Sequence, residues 1–154
     1  MRLWLAERFD STEPLPAPRP PERGPFLRWL LLRTRNIYPV CTYVGGPSRF
    51  IGESAAQRAF ATAVDHYAER LYSIVDSAAS QRWFLSGRMS ALDLHICTVT
   101  RCRPGRLWFA ANAPALLAIA DSAEALPQLA RVWERNFRPG QSSDSSDPFA
   151  SDSA

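Results

Sequence analysis

Trp83-Phe84-Leu85-Ser86-Gly87-Arg88-Met89-Ser90-Ala91-Leu92-Asp93 is the run on which the reading of this 154-residue chain turns. Its last four residues have the form of a capping box. The Ser90 hydroxyl can accept from the amide of Asp93 while the Asp93 carboxylate reaches back to the amide of Ser90, satisfying two donors that a helix start leaves over. Met89 stands where a hydrophobic staple would face Leu94 one turn into the helix. A helix is therefore expected from Ser90 to Arg101. Apolar residues occur on all its sides, which places it in the middle of a bundle.

Working outward, residues 54–79 carry the clearest period. Ala56, Ala59, Phe60, Ala63, Val64, Tyr67, Leu71, Ile74, Val75 and Ala78 recur at helical spacing, opposite Arg58, Asp65, Glu69 and Asp76. Residues 22–38 read as another helix, with Phe26, Leu27, Leu30, Leu31, Ile37 and Tyr38 on one face and Trp29 and Leu32 on a second. Pro39 is expected to kink or end it, with Val40–Val44 as a continuation before the Gly45-Gly46-Pro47 break. Pro104, Pro114 and Pro127 are placed to begin helical pieces over 105–111, 114–125 and 127–137.

The flanks differ. Prolines at 14, 16, 18, 20 and 21 mark residues 10–21 as a linker in partly extended conformation. Residues 1–9 read as one short helix whose Leu3, Trp4, Leu5 and Phe9 must dock onto something, since so short a helix does not hold in water alone. Residues 138–154 are dominated by Ser and Asp and are expected to be disordered. No strand pattern or internal repeat is visible. The fold class is all-α, with residues 22–137 as one helical domain of a size that buries a single core.

The net charge of +3 comes from a chain whose 18 basic residues are all arginine, scattered among acids. That argues against a nucleic-acid footprint. The first residues are charged, and the most apolar stretch, 108–120, is broken by Asn112 and Pro114, so neither a signal peptide nor a membrane span is expected. Three cysteines without close pairing fit no disulfide framework and point to a reducing cytoplasm. His66 and His95 stand on different helices, with no metal-ligand spacing around them. Cys97 reads as core. Asp93, tied to amides, is expected to be held ionised in a structural role.

The quoted run resembles the "phenylalanine-leucine-x-glycine … serine-x-x-aspartate" segment that opens the central helix of glutathione S-transferase C-terminal domains. The helix order over 22–137, ending in Leu126-Pro127, Val132-Trp133 and Phe137, is similar to the same family. Leu3 to Phe9 resembles the last helix of that family's thioredoxin-like domain. The resemblance implies a wall for a hydrophobic substrate. Thr34 and Tyr38 match cleft-facing positions, and Arg101 and Cys102 lie where the central helix of relatives reaches that pocket. Cys102 stands where an aromatic residue is common. The family's nucleophile-activating residue and its grip on glutathione lie in the thioredoxin-like half, and they match no residue here. No catalytic residue is assigned, and no glutathione binding or conjugation is expected of these 154 residues alone.

Two functional readings follow from the resemblance. One is a transferase-like protein in which this domain orients the second substrate. The other is a non-catalytic interaction module, like the similar helical domains of translation elongation complexes and aminoacyl-tRNA synthetases. Either leaves an apolar surface around Trp4, Phe9, Trp29 and Leu32, expected to favour dimerisation or to meet a thioredoxin-like partner.

Overall fold

A computed structural model describes residues 20–80, 82–85 and 88–137. The expected helix 1–9 with Trp4 and Phe9, the linker up to residue 19 and the tail 138–154 lie outside the described residues. Among the described residues seven α-helices follow one another: α1 (Pro20–Leu32), α2 (Tyr38–Val44), α3 (Ser54–Ala78), α4 (Ala91–Val99), α5 (Arg106–Asn112), α6 (Pro114–Glu124) and α7 (Ala130–Asn136). Among the described residues there is no strand. They form an all-α bundle like the C-terminal domain of glutathione S-transferases.

The first helix does not stop at Pro39. A five-residue π segment, Arg33–Ile37, joins α1 to α2, and the Tyr38 amide bonds the Arg33 carbonyl five residues back. Proline has no N–H, and its ring would crowd the carbonyl four residues earlier in a regular helix. The widened turn ahead of Pro39 lets the chain run on. Phe26, Leu30, Arg33, Ile37, Val40 and Val44 then form the inward stripe. Arg33 is 1% exposed, and its Nη1 donates to the Leu92 carbonyl at 3.1 Å, pinning this helix to the start of α4.

α4 occupies the centre, as its all-round apolarity requires. Leu92, Ile96 and Val99 pack with Tyr72 and Val75 of α3, Phe109 of α5 and Leu116 and Ile119 of α6. Each such side chain contributes roughly 1.5–3 kcal/mol by leaving water. A second cluster joins Trp83, Cys97, Ala120 and Ala123, with Leu126 and Trp133 against it.

The stripe expected on α3 is rotated. The buried residues are Ala61, Val64, Ala68, Leu71, Tyr72 and Val75, whereas Ala59, Ala63, Ile74 and Ala78 face water. The cause is Tyr72. Its ring enters the core against Phe109 at 4.8 Å and Trp108 at 6.0 Å, turning the helix toward α5 and α6. The acids of α3 are thereby brought to the edge of the interface. Asp76 Oδ1 accepts from the Leu116 amide at 2.9 Å, capping α6, which has no side-chain cap of its own. Asp65 takes both Nε and Nη2 of Arg103, at 3.3 and 2.5 Å.

Candidate functional site

The run that opened the reading builds the corner on which α4 stands. The Ser90 hydroxyl accepts from the Leu92 amide at 3.2 Å, and Asp93 Oδ2 accepts from the Ser90 amide at 2.6 Å and the Ser90 hydroxyl at 2.9 Å. Asp93 Oδ1 reaches across the loop to the Phe84 amide at 2.7 Å, a bond that the capping-box pattern does not contain. Burial pushes the Asp93 carboxyl above the ordinary carboxylate value, and the hydrogen bonds from Phe84 and Ser90 oppose that shift. The amide donors expected from the sequence are in place, and burial acts against them on the carboxyl. Asp93 remains a loop-closing group. Met89 packs on the Trp83–Cys97 cluster, and Leu94 is half-buried.

α4 held in this way presents His95, Thr98 and, in the turn that follows, Cys102, three and four residues apart on one face. α2 presents Tyr38 toward the same seam. The two elements meet at an aromatic rung. The Tyr38 ring stands edge-on to His95 with centroids 6.5 Å apart. The Cys102 thiol lowers the pKa of Cys41 from 9.0 to about 7 and is itself pushed up. Thr34, Tyr38 and Cys41 are exposed, Tyr38 to 63%. His95 Nδ1 is buried without a hydrogen-bond partner. His95, Thr98, Cys102, Tyr38 and Cys41 include no carboxylate, arginine or lysine.

The four residues suggested by the resemblance fall into two groups. Tyr38 faces His95, Cys102 stands in the turn after α4, and Thr34 is exposed. Arg101 is directed to α6 and the end of α7, where its Nε and Nη2 each meet the Glu124 carboxylate at 3.0 Å and its guanidinium lies 4.8 Å from the centre of the Phe137 ring. Arg106 binds the same carboxylate at 2.8 Å and also pairs with Asp121. Sequence reasoning missed Cys41 and His95. The signal for His95 was its place seven residues before Cys102 on one helical face, whereas nothing local linked Cys41 to a residue 61 positions later.

Trp29 and Leu32, expected on a bare surface, pack against the core. The Trp29 ring meets Phe84 edge-on at 5.2 Å, and Leu32 is half-buried. The large apolar residues exposed here are Leu31 of α1, at 66%, and Tyr38 and Tyr43 of α2. No helix among the described residues is long and apolar enough to cross a membrane.

The described residues thus form an all-α bundle, with the seam between α2 and α4 at its surface. The chain is related in sequence to a GST-like protein. It is 32% identical over 116 residues to the uncharacterised GST-like protein YncG of Escherichia coli (strain K12), a match that takes in 75% of this chain. It covers 56% of that relative's length, so the chain spans little more than half of the protein it matches. No family model and no solved structure matches.

Proposed function

We propose that this chain is the helical half of a glutathione S-transferase-like protein, and that the seam between α2 and α4 is the wall against which a neutral aromatic second substrate lies. The observation that carries the reading is the Tyr38–His95 rung, two rings held edge to edge with the tyrosine open to water. An aromatic ligand laid beside them gains the favourable offset and edge-on contacts that rings make with one another. Such a wall contributes orientation. The nucleophile belongs to the thioredoxin-like half.

The seam does not suit glutathione itself. That tripeptide carries two carboxylates, and none of the residues named on the seam is an arginine or lysine; Arg33 donates to the Leu92 carbonyl and Arg103 pairs with Asp65. Glutathione would be held by the other half, and no step of its chemistry is assigned to these residues.

Equilibrium dialysis of a nitroarene that lacks a leaving group, against the chain and its Tyr38→Ala variant, tests the proposal. Saturable binding that weakens severalfold in the variant is expected. Equal binding by the two proteins refutes the assignment of the wall. A second reading, an interaction module, is favoured by Leu31 and Tyr38 standing exposed on one helix. It is supported if Leu31→Ser and Tyr38→Ala both abolish self-association while neither changes dialysis.

A further inference from the structure

Tyr38 is delivered to His95 by the π segment Arg33–Ile37, and its own amide makes the bond to the Arg33 carbonyl five residues back. Turns of this kind occur mostly as single insertions in α-helices, frequently at functional sites. A widened turn changes the direction of the side chains that follow it, so whatever holds the turn also aims Tyr38. Its inward side is fixed by the fold: Ile37 and Arg33 are each 1% exposed, and Arg33 Nη1 donates to the Leu92 carbonyl. Its outward side is held by a polar bridge to another helix. Asn36 Nδ2 donates to the Leu32 carbonyl at 3.1 Å, spanning the turn back to the end of α1, and Asn36 Oδ1 accepts from the Tyr67 hydroxyl of α3 at 3.0 Å. Tyr67 stands three residues after buried Val64 and four before buried Leu71, at the rim of the inward face of α3. The Arg70 guanidinium lies 5.5 Å from the centre of its ring.

We propose that Asn36 and Tyr67 are positioning residues for Tyr38: their hydrogen bond clamps the π turn to α3 and so fixes the angle at which the Tyr38 ring meets His95 and an aromatic ligand beside it. The inference rests on the reading of the seam between α2 and α4 as a ligand wall. Neither residue is asked to touch the ligand.

Tyr38 is 63% exposed, so packing alone does not fix its ring. The turn before it is held from two directions, from the start of α4 through Arg33 and from α3 through Tyr67 and Asn36. Without the Tyr67 hydroxyl, Asn36 loses its anchor outside its own helix, and the turn gains freedom on its outer side. The ring then samples more orientations. A ligand that needs one of them binds in proportion to the fraction already in place, which is the advantage of a preorganised wall. The clamp lies near the surface, Tyr67 being 36% exposed, and one such bond is a small part of what holds a domain folded.

The test uses the full chain and two variants: Tyr67→Phe, which keeps the ring and removes the hydroxyl, and Asn36→Ala, which removes the acceptor. Each is compared with the parent by nuclear Overhauser cross-peaks between the Tyr38 and His95 rings and by equilibrium dialysis of the unreactive nitroarene. Rings with centroids 6.5 Å apart should give such cross-peaks in the parent. They should weaken in both variants, with nitroarene binding reduced roughly two- to tenfold, the fold-change of one net hydrogen bond. The double variant should be no worse than the worse single one, since both residues act through the same bond. A merely structural role would lower the urea midpoint and leave the cross-peaks of the folded protein in place. Cross-peaks missing from the parent, or unchanged in Tyr67→Phe, overturn the proposal whatever the dialysis shows, as do losses that add in the double variant. Cross-peaks that weaken as expected while the parent binds no nitroarene refute the wall and still support the placement of the Tyr38 ring by Asn36 and Tyr67. If Asn36→Ala fails to fold by circular dichroism, Tyr67→Phe decides alone.

Discussion

Asp93→Ala should remove more stability than a helix cap normally supplies. The carboxylate closes a loop as well as a helix start, accepting from the Phe84 amide at 2.7 Å and from the Ser90 amide at 2.6 Å. Phe84 is buried to 1% exposure and Ser90 to 6%, so neither amide finds water once the acceptor is gone. A buried donor left without a partner costs about 1–3 kcal/mol, which for two amides gives about 2–6 kcal/mol. Part of this is offset, because burial already works against the charged carboxyl and its removal relieves that cost. A net loss of about 2–4 kcal/mol is expected, a large share of the roughly 5–15 kcal/mol that holds a domain folded. Ser90→Ala, which removes the cap and leaves the bridge to Phe84, should cost about 0.5–2 kcal/mol. Urea titration followed by far-ultraviolet circular dichroism measures both, and a slope of about 1–3 kcal/mol per molar turns the larger loss into a midpoint lowered by about 1–2 M. A change below about 1 kcal/mol for Asp93→Ala would refute the accounting. It would mean that the two amides find other acceptors.

Three further outcomes are expected. Alkylation of Cys41 by iodoacetamide should rise with pH through a midpoint near 7, since a thiol lowered from 9.0 to about 7 is deprotonated above that value. In Cys102→Ala, which removes the donor that a serine would keep, the midpoint should move up. At pH 7 the parent gains about fiftyfold in thiolate fraction and gives back roughly eightfold in nucleophilicity, so it should react severalfold faster, and identical profiles for the two proteins would contradict the contact. Trp29→Ala should destabilise the fold by about 3–5 kcal/mol, as expected for a large ring packed on the core, whereas Leu31→Ala should stay within about 0.5 kcal/mol of the parent. The reverse order in thermal melts would place the core on the other side of α1. Arg33→Ala should leave a void and one fewer tie to Leu92, lowering the urea midpoint by more than the substitution of exposed Arg35 to Ala.

The helices were legible because each carries its own punctuation. Ser90 and Asp93 announce α4, Pro114 sits at the first position of α6, and the period over residues 54–79 is long enough to define α3 within a residue. What depends on more than one segment was less legible. Periodicity placed the apolar face of α3 about a residue out of register, because it weighted every apolar side chain alike. The packing is decided by Tyr72, whose ring is taken into the core with its hydroxyl. Pro39 signalled a break, and the chain answered with a π turn, a choice set by the need to keep Ile37 and Val40 both inside. Arg33 is the converse case. A charged residue at helical spacing within the stripe from Phe26 to Val44 was visible as a sequence fact, yet its burial depends on the Leu92 carbonyl of a distant helix. The site is a tertiary product in the same sense, since Tyr38 and Cys41 acquire their meaning from His95 and Cys102.

The central claim is that the open side of α2 and α4 is a binding wall, and amide chemical-shift mapping of the isotopically labelled chain with the same unreactive nitroarene tests it most directly. The account predicts saturable shifts clustered at residues 34–41 and 95–102, with the Tyr38 and His95 signals among the largest. Shifts centred on exposed Leu107 or on the Tyr43–Phe50–Phe60 aromatic group, or no saturable shift at all, would contradict it.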